Sequence, residues 1–253
     1  MKRILSLIVL LAVTSSLYAQ SATQPTTQPA TSQPTVNHSV FNHLLQKYVH
    51  HQRVDYLGII KHDRFALGAY LKQLSMVKVE RLTRNQKLAY YINLYNATMI
   101  HAVTQRYKPS YSPAADGFKI FKDKLVKLES GAVSLNDLEN KIIRPTFKDP
   151  RIHVALVCGA VSCPPLLNKA YNAATVDAVL EKKMAHWLNK EPSRNRLDLK
   201  NHKLYLSQIF NWYADDFGGK DKIQSYVRKY KTLPARGIDH VFLEYDWSLN
   251  IIK

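Results

Sequence analysis

The two cysteines of the sequence, Cys158 and Cys163, are the side chains with the most reactive chemistry. The turn between them, Gly-Ala-Val-Ser, lets the two sulfurs bridge if the Cα atoms come within about 7 Å. The other interpretation is a thiolate nucleophile of a cysteine hydrolase or acyltransferase. Cys163 precedes Pro164 and Pro165, which are tolerated in a first helical turn, and a helix N-terminus lowers the pKa of a thiol. The spacing leaves the disulfide and the catalytic thiol equally open.

His153 is the best candidate for the base of such a site, and Glu139 is the acid that we predict to orient it. Residues 152–158 are almost continuously apolar, which predicts a strand buried on both faces. In a straight strand His153 and Cys158 would lie about 17 Å apart and point to opposite faces, whereas Cys163 follows the turn and can fold back. The other interpretation of His153 is a buried ring bonded to a main-chain carbonyl.

We expect neither a metal nor a cofactor. His153, a cysteine and Glu139 form a plausible mixed ligand set, but the sequence has no close-spaced pair such as HExxH or CxxC. It also contains no phosphate loop, dinucleotide fingerprint or Gly-x-Ser-x-Gly elbow.

Five polar side chains are predicted to bind substrate: Asn93, Asn96, Arg144, Arg151 and Asp216. Asn93 and Asn96 are three residues apart and share one face of a helix, where they either line a pocket or hold a neighbouring loop. The two arginines either clamp a carboxylate or phosphate or pair with nearby acids. Asp216 follows Asp215 in an aromatic cluster typical of sugar-binding clefts. Neighbouring helical side chains point about 100° apart, which argues against a glycosidase pair made of these two.

The elements that must position these residues predict a single α+β domain, with helices mainly in the first half and a small, mostly antiparallel sheet in the second. Helical periodicity covers residues 39–51, 62–74, 85–107 and 175–188. Thr83 and Gln86 form a capping box before the third of these helices, which is apolar almost all round and therefore central. Residues 196–209 predict a hairpin, and residues 241–245 predict a last strand.

Three stretches carry a family resemblance: LAYYINLYNA (88–97), DPRIHVALVCGAVSCPPL (149–166) and YLSQIFNWYADDFG (205–218). Together with YDWSLN (245–250), they resemble the domain-of-unknown-function 547 family, which is found in exported bacterial proteins and in plant proteins. The resemblance covers residues 40–253. The family has no assigned function, so the resemblance implies no particular activity. It points to the candidate residues above and also to Ser162, Pro164 and Asp246. Family members often have an acidic residue followed directly by a histidine, shortly before an Ile-Arg pair. In this sequence the acidic residue is Glu139, and Asn140 stands in place of the histidine.

The N-terminus predicts export. Lys2 and Arg3 precede an apolar run that ends in Leu17-Tyr18-Ala19, so residues 1–19 are interpreted as a cleaved signal peptide. The run is shorter than the roughly 20 residues that span a bilayer, and no integral membrane segment is expected after signal removal. Residues 20–38 form a Thr/Gln/Pro/Ser-rich tether without charge, and residues 39–253 form the single globular domain. We expect a periplasmic or secreted protein.

The composition is ordinary for a globular protein, with 46% hydrophobic and 22% charged residues, and it excludes wholesale disorder. The formal net charge of +17 falls to +15 once Lys2 and Arg3 are removed. This excess suggests a second function class, a non-catalytic basic module that binds anionic envelope components and uses Cys158–Cys163 as a structural disulfide. Nucleic acid is an unlikely partner because export separates the protein from it. The basic residues are spread along the chain, which is typical of a solvated surface.

Overall fold

The computed structural model describes residues 35–252. The predicted signal peptide and most of the predicted tether lie outside these residues. The described chain is an α+β domain in one compact unit, and its first helix begins at Ser39. The α-helices are α1 Ser39–Tyr48, α2 Tyr56–Gly58, α3 Arg64–Leu74, α4 Arg84–Arg106, α5 Lys119–Lys122, α6 Leu135–Asp137, α7 Arg144–Phe147, α8 Val176–Lys190, α9 Gln208–Trp212 and α10 Ile223–Val227.

Other helical turns connect these helices. Two are π-helical, Ile59–Asp63 and Leu138–Ile143, and they join α2 to α3 and α6 to α7. The 3-10 turns are Val79–Arg81, Pro150–Val154, Ala214–Phe217 and Lys220–Lys222.

Helix α4 is the centre of the domain. Thr83 accepts a hydrogen bond from the Gln86 backbone N–H, and the Gln86 side chain accepts one from the Thr83 N–H, so the predicted capping box is present. From Leu88 onward α4 is buried over most of its circumference, and it contacts α2, α3 and α8. A helix that is apolar all round must be covered on every side, as predicted for this one.

Three small sheets complete the fold: β1 Val49–His50 with β2 Arg53–Val54, β3 Val126–Leu128 with β4 Gly131–Val133, and a three-stranded sheet of β5 Arg196–Asp198, β6 Lys203–Leu206 and β7 Asp239–Phe242. Strands β5 and β6 form the predicted antiparallel hairpin, with Leu197 opposite Leu204. Strand β7 pairs parallel to β6, because the chain returns through α9 and α10 before joining the sheet.

The predicted strand at residues 152–158 is wrong. The structure forms a 3-10 helix over Pro150–Val154, capped by Asp149, whose carboxylate accepts a 2.9 Å hydrogen bond from the Arg151 N–H. The following residues run across α4 and make no strand pairing within the described chain. A short apolar run does not distinguish a buried strand from a buried helical turn, and here the proline and the aspartate cap decide.

The apolar core has two parts. The larger surrounds α4, and the smaller is built around Trp187 and Phe210 beneath the three-stranded sheet. Residues 152–158 join them, because Ile152 belongs to the first part and Val154 to the second. This junction carries His153 and Cys158, and Cys163 follows it. Among the described residues, no helix combines the length and apolarity needed to cross a membrane.

Candidate active site

A cavity of about 570 Å³ opens where the two parts of the core meet. It brings together His153, Glu139, Arg144, Cys158 and Cys163, which the sequence analysis selected from separate motifs. The remaining lining is mostly aromatic and includes Tyr95, Phe118, Phe121, Trp212, Tyr213, Tyr245 and Trp247. Apolar cavities with a few convergent polar groups are typical of small-molecule sites.

His153 is held by Asp216 from behind the cavity. The imidazole Nε2 lies 2.6 Å from Asp216 Oδ2, and the His153 side chain is almost fully buried. Arg144 grips the same carboxylate in a bidentate manner, with its Nε 2.7 Å from Oδ2 and its Nη2 2.9 Å from Oδ1. A carboxylate fixed in this way orients an imidazole by one nitrogen and leaves the other for chemistry.

The electrostatics of Asp216 favour its charged form. Burial by itself raises the pKa of this carboxyl group, but the hydrogen bonds from His153 and Arg144 outweigh burial and hold the pKa well below its usual value. Asp216 is therefore an anion throughout the neutral range.

Tyr213 fixes the plane of the His153 ring. The two rings stack with their centroids 4.0 Å apart, and the Arg144 guanidinium lies 5.0 Å from the Tyr213 ring centroid. Phe217 contacts the imidazole from a third direction, with a centroid distance of 5.7 Å. The imidazole is thus held by packing as well as by its carboxylate partner.

Glu139 lies on the other side of His153. Its Oε1 is 3.7 Å from His153 Nδ1, beyond hydrogen-bond distance, and its carboxylate instead accepts hydrogen bonds from the hydroxyls of Tyr95 and Tyr213. Burial, followed by the charge of Glu139, raises the pKa of both tyrosines. The residue that hydrogen-bonds His153 is therefore Asp216, predicted as a substrate-binding residue, and not Glu139, predicted as the orienter.

Cys158 and Cys163 form a disulfide, with their Cα atoms 6.1 Å apart. Both cysteines line the cavity. Cys163 is buried, whereas Cys158 is half-buried. The Cys158 N–H donates a 2.8 Å hydrogen bond to Cys163 Sγ, and the Tyr245 hydroxyl lies 3.2 Å from Cys158 Sγ. Of the two alternatives left open by the spacing, the structure shows the disulfide, and no free cysteine occurs in the described range 35–252.

The C-terminal segment holds the loop that contains the disulfide. Asn250 donates its backbone N–H to the Gly159 carbonyl at 2.9 Å, and Val161 donates its N–H to the Ser248 carbonyl at 2.9 Å. Gly159 has a φ of +77°, and a Cβ there would lie 3.1 Å from Met99 Cε. Only glycine fits this turn without strain, so the loop has one well-defined path past α4.

Aromatic side chains form the rim of the cavity. Trp212 and Trp247 are stacked with their centroids 5.7 Å apart, and Tyr245 lies 4.6 Å from Trp247. Trp212 is 47% exposed, which is unusual for so large an apolar side chain. Trp212 and Tyr213 belong to the aromatic cluster predicted around Asp216. Tyr95, Tyr245 and Trp247 had no predicted role, and the signal for them was their position inside the family-like motifs.

Of the five predicted substrate-binding residues, only Arg144 lines the cavity; Asp216 lies behind it, and the side chains of the other three neither line the cavity nor hydrogen-bond to His153. The Asn96 side chain donates to the Ala155 carbonyl and accepts from the Val157 N–H, each at 2.9 Å. Asn93 makes the same pair of contacts with the backbone of Tyr171, also at 2.9 Å. Both amides therefore hold loops, the alternative that their helical spacing had left open.

Arg151 is the third of these residues. It is saturated by carboxylates, with Asp149, Asp177 and Glu181 all within 2.9 Å of its guanidinium. It ties the 3-10 helix that carries His153 to α8, which is the acid-pairing role considered for it.

In the part of the chain that the structure describes, no group of three histidine, cysteine, aspartate or glutamate side chains is arranged to hold a metal ion. Of the donors nearest to one another, Glu139 accepts hydrogen bonds from Tyr95 and Tyr213, and Asp216 is bonded to both Arg144 and His153.

The family comparison agrees with the motifs. Residues 79–188 match the family model described as protein of unknown function, DUF547. The match confirms the resemblance, and this segment belongs to that family; it contains Glu139, Arg144, His153 and both cysteines. Asp216 and the aromatic residues from Trp212 onward lie beyond the matched segment. Neither the curated proteins nor the solved structures include a match to the chain.

The family departure at Asn140 is visible in the cavity. Asn140 Oδ1 accepts a 2.6 Å hydrogen bond from Arg144 Nη1. Asn140 is therefore the next member of the hydrogen-bond network that links Arg144, Asp216 and His153. Asn140 also belongs to the polar wall of the cavity, at the position where the resemblance implies a histidine.

Proposed function

We propose that the protein is an exported thiol-dependent enzyme of the hydrolase or acyl-transfer type, with Cys158 as nucleophile and His153 as base. The observation that carries the proposal is that the half-buried Cys158 and the Asp216-bound His153 line one cavity. Cys163 is buried and is the less accessible of the two sulfurs. Buried ionisable groups around an open cavity are more typical of a functional site than of a structural disulfide alone.

The disulfide is the resting form in this proposal. A dithiol reductant supplies two electrons and two protons to the Cys158–Cys163 bond and is itself oxidised to a disulfide. The products are two thiols, of which Cys163 keeps the hydrogen bond from the Cys158 N–H. Cys158 is then free to react.

Acyl transfer follows from the orientation of His153. Because Nε2 is engaged by Asp216, Nδ1 is the nitrogen that accepts the Cys158 proton. The thiolate attacks the substrate carbonyl, and the leaving group departs with the proton from His153, which leaves a thioester. Water or an acceptor hydroxyl then attacks the thioester, giving its proton to His153 and releasing the Cys158 thiolate.

The test is the pH dependence of alkylation at Cys158. We expect iodoacetamide to leave the oxidised protein unlabelled and, after reduction, to label Cys158 with a thiolate pKa below the ordinary value of about 8.5, because protonated His153 stabilises the thiolate. Peptide mass spectrometry separates Cys158 from Cys163. In His153→Gln the pKa should return to the ordinary range, slowing labelling at pH 6.5 by about tenfold or more.

His62→Gln serves as the matched control, because His62 is exposed on the π-helical turn and remote from the cavity lining. This variant should keep the wild-type profile. An ordinary thiol profile in the reduced wild-type protein, unchanged by His153→Gln, would contradict the proposed base.

A second candidate is favoured by the disulfide itself. The bond closes a loop that the C-terminal segment also holds, which suits a staple in a non-catalytic basic module that binds anionic envelope surfaces. The redox state separates the two candidates, since only the enzyme requires the disulfide to be reduced.

A further inference from the structure

A second cavity of about 600 Å³ lies along helix α8 and shares no lining residue with the disulfide cavity. Residues at helical spacing form one wall, which consists of Val179, Lys182, Lys183, His186 and Trp187. Residues 165–168 form another wall. His51, Gln52 and His186 at the rim are exposed, so the cavity is open to solvent.

Lys183 is the unusual group in this cavity, because it is only 8% exposed. Its ammonium group donates to the Pro165 main-chain carbonyl, and within the described chain it has no carboxylate at ion-pair distance. Lysine is rarely buried without a counter-charge, since burial without one favours the neutral amine.

The nearest acid, Glu191, is already engaged. Its Oε2 accepts a 2.6 Å hydrogen bond from Arg194 Nη1, and its Oε1 accepts one from Gln52 Nε2 at 2.8 Å. His186 Nε2 lies 3.3 Å from the same Oε1. The Glu191 carboxylate therefore provides little compensation for a charge on Lys183.

Electrostatics agree with this geometry. Burial, followed by repulsion from Arg194, lowers the pKa of Lys183 to about 7, and attraction to Glu191 offsets only part of this effect. The titratable or charged groups that face Lys183 from the surrounding elements are His51, Lys182, His186, Glu191 and Arg194. Four of these five are basic, so the surroundings favour the uncharged amine.

We propose that Lys183 is a nucleophilic amine that captures a small aldehyde or ketone in this cavity as an imine. The amine lone pair attacks the carbonyl carbon, and one N–H proton passes to the oxygen to give a carbinolamine. Protonation of that hydroxyl by solvent or by a rim histidine releases one water, and the C=N bond forms. Hydrolysis of the imine reverses the sequence, and no oxidant or reductant takes part.

The neighbouring lysine provides an internal comparison for a test. Lys182 is exposed and lies on the rim of the same cavity, so it experiences the same reagent at the same concentration. Because both lysines belong to one chain, a difference between them does not depend on comparing variants that fold differently.

The experiment treats the full chain with pyridoxal and sodium cyanoborohydride, which reduces an imine to a stable amine, from pH 6 to 10. Peptide mass spectrometry measures labelling at each lysine. We expect Lys183 to be labelled about tenfold or more faster than Lys182 at pH 7, because an ordinary lysine has a pKa of about 10.4. Labelling of Lys182 should rise steeply towards pH 10, whereas Lys183 should already be close to its maximum at pH 8.

Two variants complete the test. Lys183→Arg should abolish the fast label, because the guanidinium forms no imine, and Lys182→Arg should leave it unchanged. Absence of label at Lys183 across the range, or labelling that follows the profile of Lys182, would overturn the proposal.

Discussion

At the scale of single residues, Asp216 is the carboxylate that fixes the orientation of His153 in the candidate active site. Burial raises the pKa of Asp216, but two hydrogen bonds from Arg144 and one from His153 outweigh burial and keep the carboxylate ionised. The sequence selected Asp216 only as a substrate-binding residue, since nothing in the spacing of 63 residues indicates that it meets His153. Contacts over such separations depend on the tertiary fold.

Asp216→Asn should lower the free energy of unfolding by about 1.5–3 kcal/mol at neutral pH, because it removes the charge that Arg144 and His153 bind. The pKa of Asp216 is depressed in the folded state, so its contribution is present above the ordinary carboxyl pKa of about 3.9 and is lost as the pH falls below it. Urea unfolding of both proteins between pH 7 and 2.5 should show a difference that shrinks in this window.

The matched control is Asp215→Asn, because Asp215 is the exposed neighbour of Asp216. It should change the free energy of unfolding by less than about 0.5 kcal/mol at any pH. An equal effect of both variants would contradict the role assigned to Asp216.

At the scale of elements, helix α4 supports the active-site loop through one amide. Asn96 bonds both the Ala155 carbonyl and the Val157 N–H, and so holds the segment between His153 and Cys158 against the helix. The capping box of α4 and the β5–β6 hairpin were predictable because their signals lie within a few residues of each other. The 3-10 helix at Pro150–Val154 was not predicted, because its apolar run also fits a strand.

Asn96→Ala should lower the free energy of unfolding by about 2–4 kcal/mol, because it leaves a buried N–H and a buried carbonyl without partners. It should also make the Cys158–Cys163 disulfide reduce several-fold faster with dithiothreitol, measured by trapping and mass spectrometry at a concentration where the variant remains folded. The loosened loop exposes the sulfurs more often.

Thr83→Ala is the comparison for this prediction, because it removes the N-cap of the same helix far from the loop. It should cost about 1 kcal/mol and leave the reduction rate unchanged. A reduction rate that rises equally in both variants would indicate general destabilisation instead of support of the loop by Asn96.

At the scale of the whole molecule, the most conspicuous property is the excess of positive charge. The formal charge of +17 falls to +15 in the chain that we propose is exported, and the bases are distributed along the sequence. The proposed binding module rests on this charge, because a net positive charge favours contact with anionic lipids or polysaccharides.

The proposed binding module predicts that the protein associates with vesicles containing 30% anionic lipid at low ionic strength and is released as salt rises to 0.5 M, where the Debye length falls to about 4 Å. Cosedimentation measures the bound fraction, and neutral vesicles are the control. The Cys158→Ser/Cys163→Ser double variant should bind as the wild type does if it remains folded, because the charge is unchanged. Binding that ignores salt would count against this role.

The sequence by itself determined the α+β class, the central helix, the hairpin, the family of residues 79–188 and five of the side chains that line the cavity, namely Glu139, Arg144, His153, Cys158 and Cys163. These properties arise from local periodicity, caps and motifs, which act over a few residues. Only the tertiary structure decided that the cysteines are bridged, that Asp216 rather than Glu139 binds His153, and that Lys183 is buried without a counter-charge. Those outcomes depend on which distant groups share a buried volume, and that is settled by how the two parts of the core pack together.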